Sequence, residues 1–348
     1  MIGFEGCSLS AELKELLREV QPIGLILFER NIESLPHLTE LGRELKTWRS
    51  KDPLLLCVDQ EGGRVARVKE PATRWPAMRL LGRLNDAELA RRVGVAIGAE
   101  SRAVNIDVDL APVLDVDTNP QNPVIGDRSF SPHAHVVAAL GNAVAQGLKE
   151  SGVGACGKHF PGHGDTELDS HLALPRVSHE IQRLRETEWP PFSACIAGGL
   201  DAIMTAHVVV ECLDAERPAT LSPSALHPLR AELGFAGVVI SDDVEMKALA
   251  DHFSLEKIAA WGITAGVDVF LACRRADVVL GLYRAIVQAV ENQQIGVERL
   301  LEAARRANLW RRCYYHAPAE SRHLEAVVGC PAHQLLAAQI MERAAASV

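Results

Sequence analysis

Long hydrophobic runs are missing from this 348-residue chain. None reaches the about 18 consecutive apolar residues that a membrane-spanning helix requires. No charged segment followed by an apolar one opens the sequence, so a soluble, unexported, cytoplasmic protein with no membrane partner is expected. Basic runs are missing too. Lys plus Arg total 36 against 45 Asp plus Glu, for a net charge of −9, and aromatic residues make up only 5%. That leaves neither a cationic stripe nor a stacking platform for nucleic acid, and a small-molecule partner is expected instead. The eight cysteines (7, 57, 156, 195, 212, 273, 313 and 330) contain no C-x-x-C pair and often sit in apolar runs, as Cys57 and Cys156 do. They read as reduced, mostly buried thiols. No G-x-G-x-x-G, G-x-x-x-x-G-K-[ST] or G-x-S-x-G element occurs, so a nucleotide cofactor and the usual serine-hydrolase arrangement have no support, and no cofactor is expected. Repeats, low-complexity segments and Pro/Gly/Ser-rich linkers are absent as well.

What the chain does have is 48% hydrophobic content spread over short runs: Ile23–Phe28, Leu54–Val58, Ile106–Leu110, Val153–Gly157, Ala202–Met204, Val238–Ile240 and Val267–Ala272. Each is usually followed by polar residues and then a helical pattern, a serial strand-loop-helix rhythm. Helices are expected at about 86–104, from Ser131-Pro132 onward with Ser131 as cap, at 180–199, from Ser222-Pro223 to Gly234, at 254–265 and at 276–291. This α/β pattern suits either an open doubly wound sheet or a closed barrel. Asp59, Asp115, Lys158, His159, His207 and Asp242 follow five different runs, and only a barrel gathers all those strand ends around one mouth. A single-domain (β/α)₈ barrel over residues 1–315 is therefore expected, with a C-terminal helical tail over 316–348 ending in the helix Pro331–Ala346. The eighth strand is not visible as a run, and Met1–Phe4 is its candidate.

The richest chemistry lies in Lys158-His159-Phe160-Pro161-Gly162-His163-Gly164-Asp165-Thr166-Glu167-Leu168-Asp169-Ser170-His171. The polar cluster is expected to start where the strand ends at Gly157. His159-x-x-x-His163 has a zinc-like spacing, but that spacing works best on a helix, which Pro161-Gly162 excludes. No metal site is expected. Asp242 follows Val238–Ser241 and faces two readings: a carboxylate pointed into the barrel mouth, or a helix N-cap, a duty for which Asp243 is also available. Asp59, Arg67 and Arg128 suit a polyol, since carboxylates accept from adjacent hydroxyls and guanidinium offers a planar fork of donors, but they suit an internal ion-pair network equally. Gly62-Gly63 permits a sharp turn beneath them. Met204, His207 and Met246 are candidates to line the same pocket.

Taken together, the loop 158–171 with Leu174-Pro175, Leu27-Phe28-Glu29-Arg30-Asn31, Asp59-Gln60-Glu61-Gly62-Gly63-Arg64-Val65, Asp127-Arg128-Ser129-Phe130 and Ser241-Asp242-Asp243 resemble, in order, the motif blocks of glycoside hydrolase family 3, in its branch of bacterial β-N-acetylglucosaminidases. The resemblance implies a (β/α)₈ barrel, with Asp242 as nucleophile, His171 as acid/base and Asp169 orienting that histidine. It also implies that Asp59, Arg67, Arg128, Lys158 and His159 bind the sugar. An imidazole suits the acid/base role because its ordinary pKa lies near 6.5, although Glu167 is a conventional carboxylate rival. The activity implied is retaining removal of terminal β-linked N-acetylglucosamine from 1,6-anhydro-N-acetylmuramic acid-peptide fragments. That would place the chain, as a monomer, in peptidoglycan recycling and so in cell-wall biogenesis, cell shape, cell cycle and cell division. The alternatives are a phosphorylase on the same scaffold, a metal-dependent hydrolase, or a non-catalytic sugar-binding barrel.

Overall fold

The computed structural model describes residues 1–49, 51–167, 169–170, 174–318 and 324–346. Seven parallel strands lie in chain order: β1 Gly24–Leu27, β2 Leu55–Val58, β3 Val108–Asp109, β4 Gly154–Phe160, β5 Ala202–Thr205, β6 Val238–Asp243 and β7 Val269–Leu271. The short apolar runs become strands because both of their faces are covered. Ile26, Cys57, Cys156 and Met204 point into the barrel, while Leu25, Leu27, Leu56 and Val58 pack under the surrounding helices.

Ile2 closes the barrel, bridging in parallel to Leu25 on one side and Ala272 on the other. Its N–H donates to Gly24 O at 3.2 Å and its carbonyl accepts from Ile26 N at 3.0 Å, while Gly3 N donates to Ala272 O at 2.8 Å. The eighth stave is thus Met1–Phe4 as expected, reduced to one bridging residue. Only glycine fits next to it, since a Cβ on Gly3 would lie 1.9 Å from Cys273 O. A helix follows each stave, from Ala11–Val20 to Ala276–Glu291, and several open on side-chain caps: Ser10 accepts from Leu13 N, Asp86 from Leu89 N and Ser222 from Ala225 N. The cap expected at Ser131 is a correction. Its hydroxyl accepts from His133 N and the helix starts at Ala134, because Ser131 is held in the preceding loop, where its carbonyl accepts from Asp117 N.

The helix Val297–Tyr314 seals the N-terminal end of the barrel. Trp310 and Tyr314 are buried in the barrel interior cluster, and the Tyr314 hydroxyl donates to Asp201 just ahead of β5. The helix Pro331–Ala346 lies on the outside, with Leu336 and Ile340 buried against the helical layer and His333 bonded to Glu100 at 2.8 Å. Among the described residues no helix is long and apolar enough to cross a membrane. With the lower end plugged, the opposite mouth holds the cavity.

Candidate active site

A cavity of about 390 Å³ opens at the C-terminal ends of the strands, and Asp59, Lys158, His159, Asp169 and Asp242 line it from β2, β4 and β6 or the loops after them. It begins where β2 ends. Asp59 follows the last apolar residue, and Gly62 and Gly63, at φ +93° and +56°, turn the chain back into a short ribbon, Gln60–Gly62 against Val65–Ala66. The buried Gln60 side chain fastens that return. Its Oε1 accepts from Arg67 N at 2.9 Å and Val68 N at 3.0 Å, and its Nε2 donates to Val68 O at 3.0 Å. Arg67 is thereby brought to 3.6 Å from Asp59.

Lys158 is the hub of the floor. Its ammonium lies 2.7 Å from Asp59 Oδ1 and 2.6 Å from Glu61 Oε1, with its side chain 3% exposed. Glu61 in turn takes two parallel 2.8 Å hydrogen bonds from Arg128. Burial works against ionising Glu61, but Arg128 and Lys158 outweigh it and hold its carboxyl far below the usual range. Burial likewise opposes the charge on Lys158, and Asp59 and Glu61 override it. Glu61, Arg128 and Lys158 therefore stay charged at neutral pH, part of an array of donors and acceptors fixed before any ligand arrives.

The strand β4 runs on through Lys158-His159-Phe160 instead of ending at Gly157, so both polar residues are strand residues. This corrects the expected boundary. Asp115, fully buried, makes the extension possible: its carboxylate lies 2.6 Å from His159 Nδ1 and accepts from the backbone N–H of His159 and, at 2.7 Å, of His163. Despite burial, the neighbouring His159 keeps this carboxyl below its usual range. His163 is also buried, and burial followed by the nearby His159 takes its pKa down to about 4. Its ring nitrogens face Thr166 Oγ1 at 2.8 Å and Ser170 Oγ at 3.0 Å. Both ring nitrogens of His163 are thus engaged by hydroxyls, and no three His, Cys, Asp or Glu among the described residues form a metal-holding group.

Asp242 sits near the end of β6 at the cavity wall, half-buried, with one oxygen accepting from Asp243 N at 2.8 Å. Asp243 does not cap a helix. Its Oδ1 accepts from Glu245 N at 3.1 Å and from Cys273 N at 3.2 Å, which joins the end of β6 to the end of β7. Burial, with the charges of Glu245 and Asp242, pushes its carboxyl up to about 6 against the bond from Glu245 N. Met204 and Met246 line the cavity. His207 instead supports the wall from behind, bonded to Thr220 at 2.8 Å and Asp243 O at 3.0 Å. Asp169 reaches the cavity, Glu167 is exposed outside it, and His171 lies outside the described residues.

Six of the expected residues, Asp59, Arg67, Arg128, Lys158, His159 and Asp242, meet around one cavity with Asp169. Glu61 was not foreseen as part of it, and Asp115, expected at the mouth, lies buried behind His159 instead of on the cavity wall. Glu61 carried a usable signal, since residues two apart on an extended segment share a face and Asp59 was already assigned to the mouth.

The family model for the glycosyl hydrolase family 3 N-terminal domain matches residues 2–308. A β-hexosaminidase of Idiomarina loihiensis is 38% identical over 315 residues, covering 89% of this chain and 94% of that protein. One from Neisseria meningitidis is 39% identical over 279 residues, covering 78% and 76%. Among solved structures, a family 3 β-N-acetylglucosaminidase from Paenibacillus superposes with a TM-score of 0.94 at 37% identity, covering 99% of this chain and 67% of that one. NagZ from Neisseria gonorrhoeae, in complex with N-trifluoroacetyl-D-glucosamine, superposes at 0.83 with 33% identity, covering 99% and 97%. With a closed barrel and a charged mouth on the same chain, these matches show that the protein belongs to glycoside hydrolase family 3 and is a β-N-acetylhexosaminidase.

Proposed function

We propose that this enzyme removes terminal β-linked N-acetylglucosamine with retention of configuration, through a glycosyl ester on Asp242, and that its substrates are N-acetylglucosamine-1,6-anhydro-N-acetylmuramic acid-peptide fragments of the cell wall. The observation that carries the mechanism is the position of Asp242, half-buried at the wall of a cavity whose floor is a pre-set donor and acceptor array. A carboxylate there attacks an oxocarbenium-like centre, holds the sugar as an ester and departs again. In this reading Asp59, Arg67, Arg128, Lys158 and His159 bind the sugar hydroxyls, His171 donates and then removes the proton, and Asp169 orients it. No cofactor or metal takes part. The relatives named β-hexosaminidase and NagZ support the aminosugar. The fragment substrate and a recycling role in the cytoplasm follow from the family resemblance.

Two measurements test the reading. A 5-fluoro N-acetylglucosaminide with a good leaving group, which keeps the 2-acetamido group, is expected to leave an adduct on the peptide containing Asp242, and purified muropeptide fragments to release free N-acetylglucosamine. An adduct on another carboxylate would overturn the nucleophile, and inert fragments the substrate. Running the second assay in phosphate buffer separates hydrolysis from phosphorolysis by product.

A further inference from the structure

Ser170 stands between Asp169 and His171, it is 1% exposed, and the fold grips it from two directions. Its hydroxyl lies 3.0 Å from His163 Nε2. Its carbonyl accepts from Ala248 N at 3.2 Å, in the short helix Lys247–Ala250 that follows the strand bearing Asp242. The grip is therefore anchored to both catalytic segments.

His163 is itself held on every side. Its backbone N–H donates to Asp115 at 2.7 Å, and its carbonyl accepts from Asn122 Nδ2 at 2.8 Å. Its Nδ1 lies 2.8 Å from Thr166 Oγ1, a hydroxyl that also lies 3.2 Å from the His163 carbonyl and accepts from Asn122 Nδ2 at 3.3 Å. With both ring nitrogens paired, to Thr166 and to Ser170, the imidazole is fixed in place and Ser170 is fixed against it.

We infer that His163 and Ser170 are positioning residues for the acid/base. The Ser170–His163 hydrogen bond and the Ser170–Ala248 backbone bond hold Ser170, the residue between Asp169 and His171 in the chain, against the segment that carries Asp242. This rests on the reading of His171 and Asp169 as the acid/base pair. A proton donor displaced by a fraction of an ångström loses the protonation step while sugar binding by the Asp59–Lys158–Glu61–Arg128 network survives.

The test uses the full chain and a series of aryl N-acetyl-β-D-glucosaminides with leaving groups from nitrophenol to simple phenol, assayed on Ser170→Ala, Ser170→Thr and His163→Ala, with His171→Ala as reference. General acid catalysis is worth about 10²–10⁴-fold. Ser170→Ala is expected to lose roughly tenfold or more of kcat on the poorest leaving group, less than about threefold on nitrophenol, with KM little changed. Ser170→Thr, which keeps the hydroxyl, is expected to recover most of it. His163→Ala should share the pattern, and the double alanine variant should lose no more than the worse single one. Equal loss across all leaving groups, no loss, or additive losses would overturn the inference. If His163→Ala does not fold, the Ser170 pair decides alone. A flat leaving-group series in His171→Ala would bring down the acid/base reading and this inference with it, whereas a steep one beside a flat Ser170→Ala would remove the clamp alone.

Discussion

Arg128 grips Glu61 with two parallel 2.8 Å hydrogen bonds, on a carboxylate whose side chain is 2% exposed. This fork makes a cavity-lining guanidinium rigid, and it explains how three cations can share one cavity floor: Glu61 and Asp59 keep Arg128, Lys158 and Arg67 from repelling each other.

Glu61→Ala is therefore expected to be costly twice over. It leaves two buried cations without their shared partner, a loss of roughly 3–5 kcal/mol in unfolding free energy by chemical denaturation. KM should rise in the folded fraction, since Arg128 and Lys158 lose their fixed directions. Glu61→Gln, which keeps one acceptor, should fall between the two. A Glu61→Ala protein as stable as the parent would show that the network is not the floor's support.

The adjacent carboxylates Asp242 and Asp243 should separate cleanly. Asp242→Asn removes the charge at the cavity wall and nearly preserves shape, so turnover is expected to fall by roughly 10⁴-fold or more with the melting midpoint almost unchanged. Asp243→Ala instead frees the backbone N–H groups of Glu245 and Cys273, and a stability loss of about 1–3 kcal/mol is expected. Near-normal turnover in Asp242→Asn would end its candidacy as nucleophile.

Much of this architecture was legible because buried strands and amphipathic helices leave periodic apolar patterns, and because strand ends carry the polar residues of a barrel mouth. The helix over 276–291 and the residues Asp59, Lys158 and Asp242 followed directly. What failed to show depended on partners distant in sequence. Lys158 and His159 look like a loop until Asp59, 99 residues away, and Asp115, 44 residues away, are seen to satisfy them inside a strand. The first stave escapes a periodicity reading because a single residue, Ile2, completes the sheet on both edges. The helix Val297–Tyr314 interleaves apolar residues with charged ones along its length, and only its packing reveals that Trp310 and Tyr314 are a plug.

Substrate choice is the next expectation. A site that hydrogen-bonds and encloses a 2-acetamido group leaves those polar groups unpaired with a glucoside, a discrimination that can reach roughly 10⁴-fold. Aryl N-acetyl-β-D-glucosaminides should be cleaved, β-glucosides poorly or not at all, and, with Asp242 as the proposed attacking group, thiazoline mimics of an acetamide-closed intermediate should inhibit only modestly. Comparable kcat/KM on both sugars would remove the specificity. Tight thiazoline inhibition without a trappable ester would point to the substrate's own acetamide as nucleophile.

The last expectation concerns pH and Asp109, fully buried at the end of β3 with Oδ1 accepting from Gln60 N at 2.9 Å and Oδ2 without a hydrogen-bond partner. Burial, reinforced by the charges of Asp59 and Glu61 against the pull of Gln60 N and Lys158, raises its pKa to about 7. In the unfolded chain the same group titrates near about 4. Between those values the folded protein holds a proton that the unfolded chain has released, so stability falls as pH rises through that window and the deficit is constant above it. Asp109→Asn keeps the acceptor for Gln60 N and removes the titration. The fall in unfolding free energy from pH 5 to pH 8 should then be smaller in the variant than in the parent by on the order of 2 kcal/mol. Urea unfolding of both proteins at the two pH values measures this directly. Parallel pH dependences would mean that Asp109 is already ionised beside Lys158, and that the site floor carries one more negative charge than the geometry assigns to it.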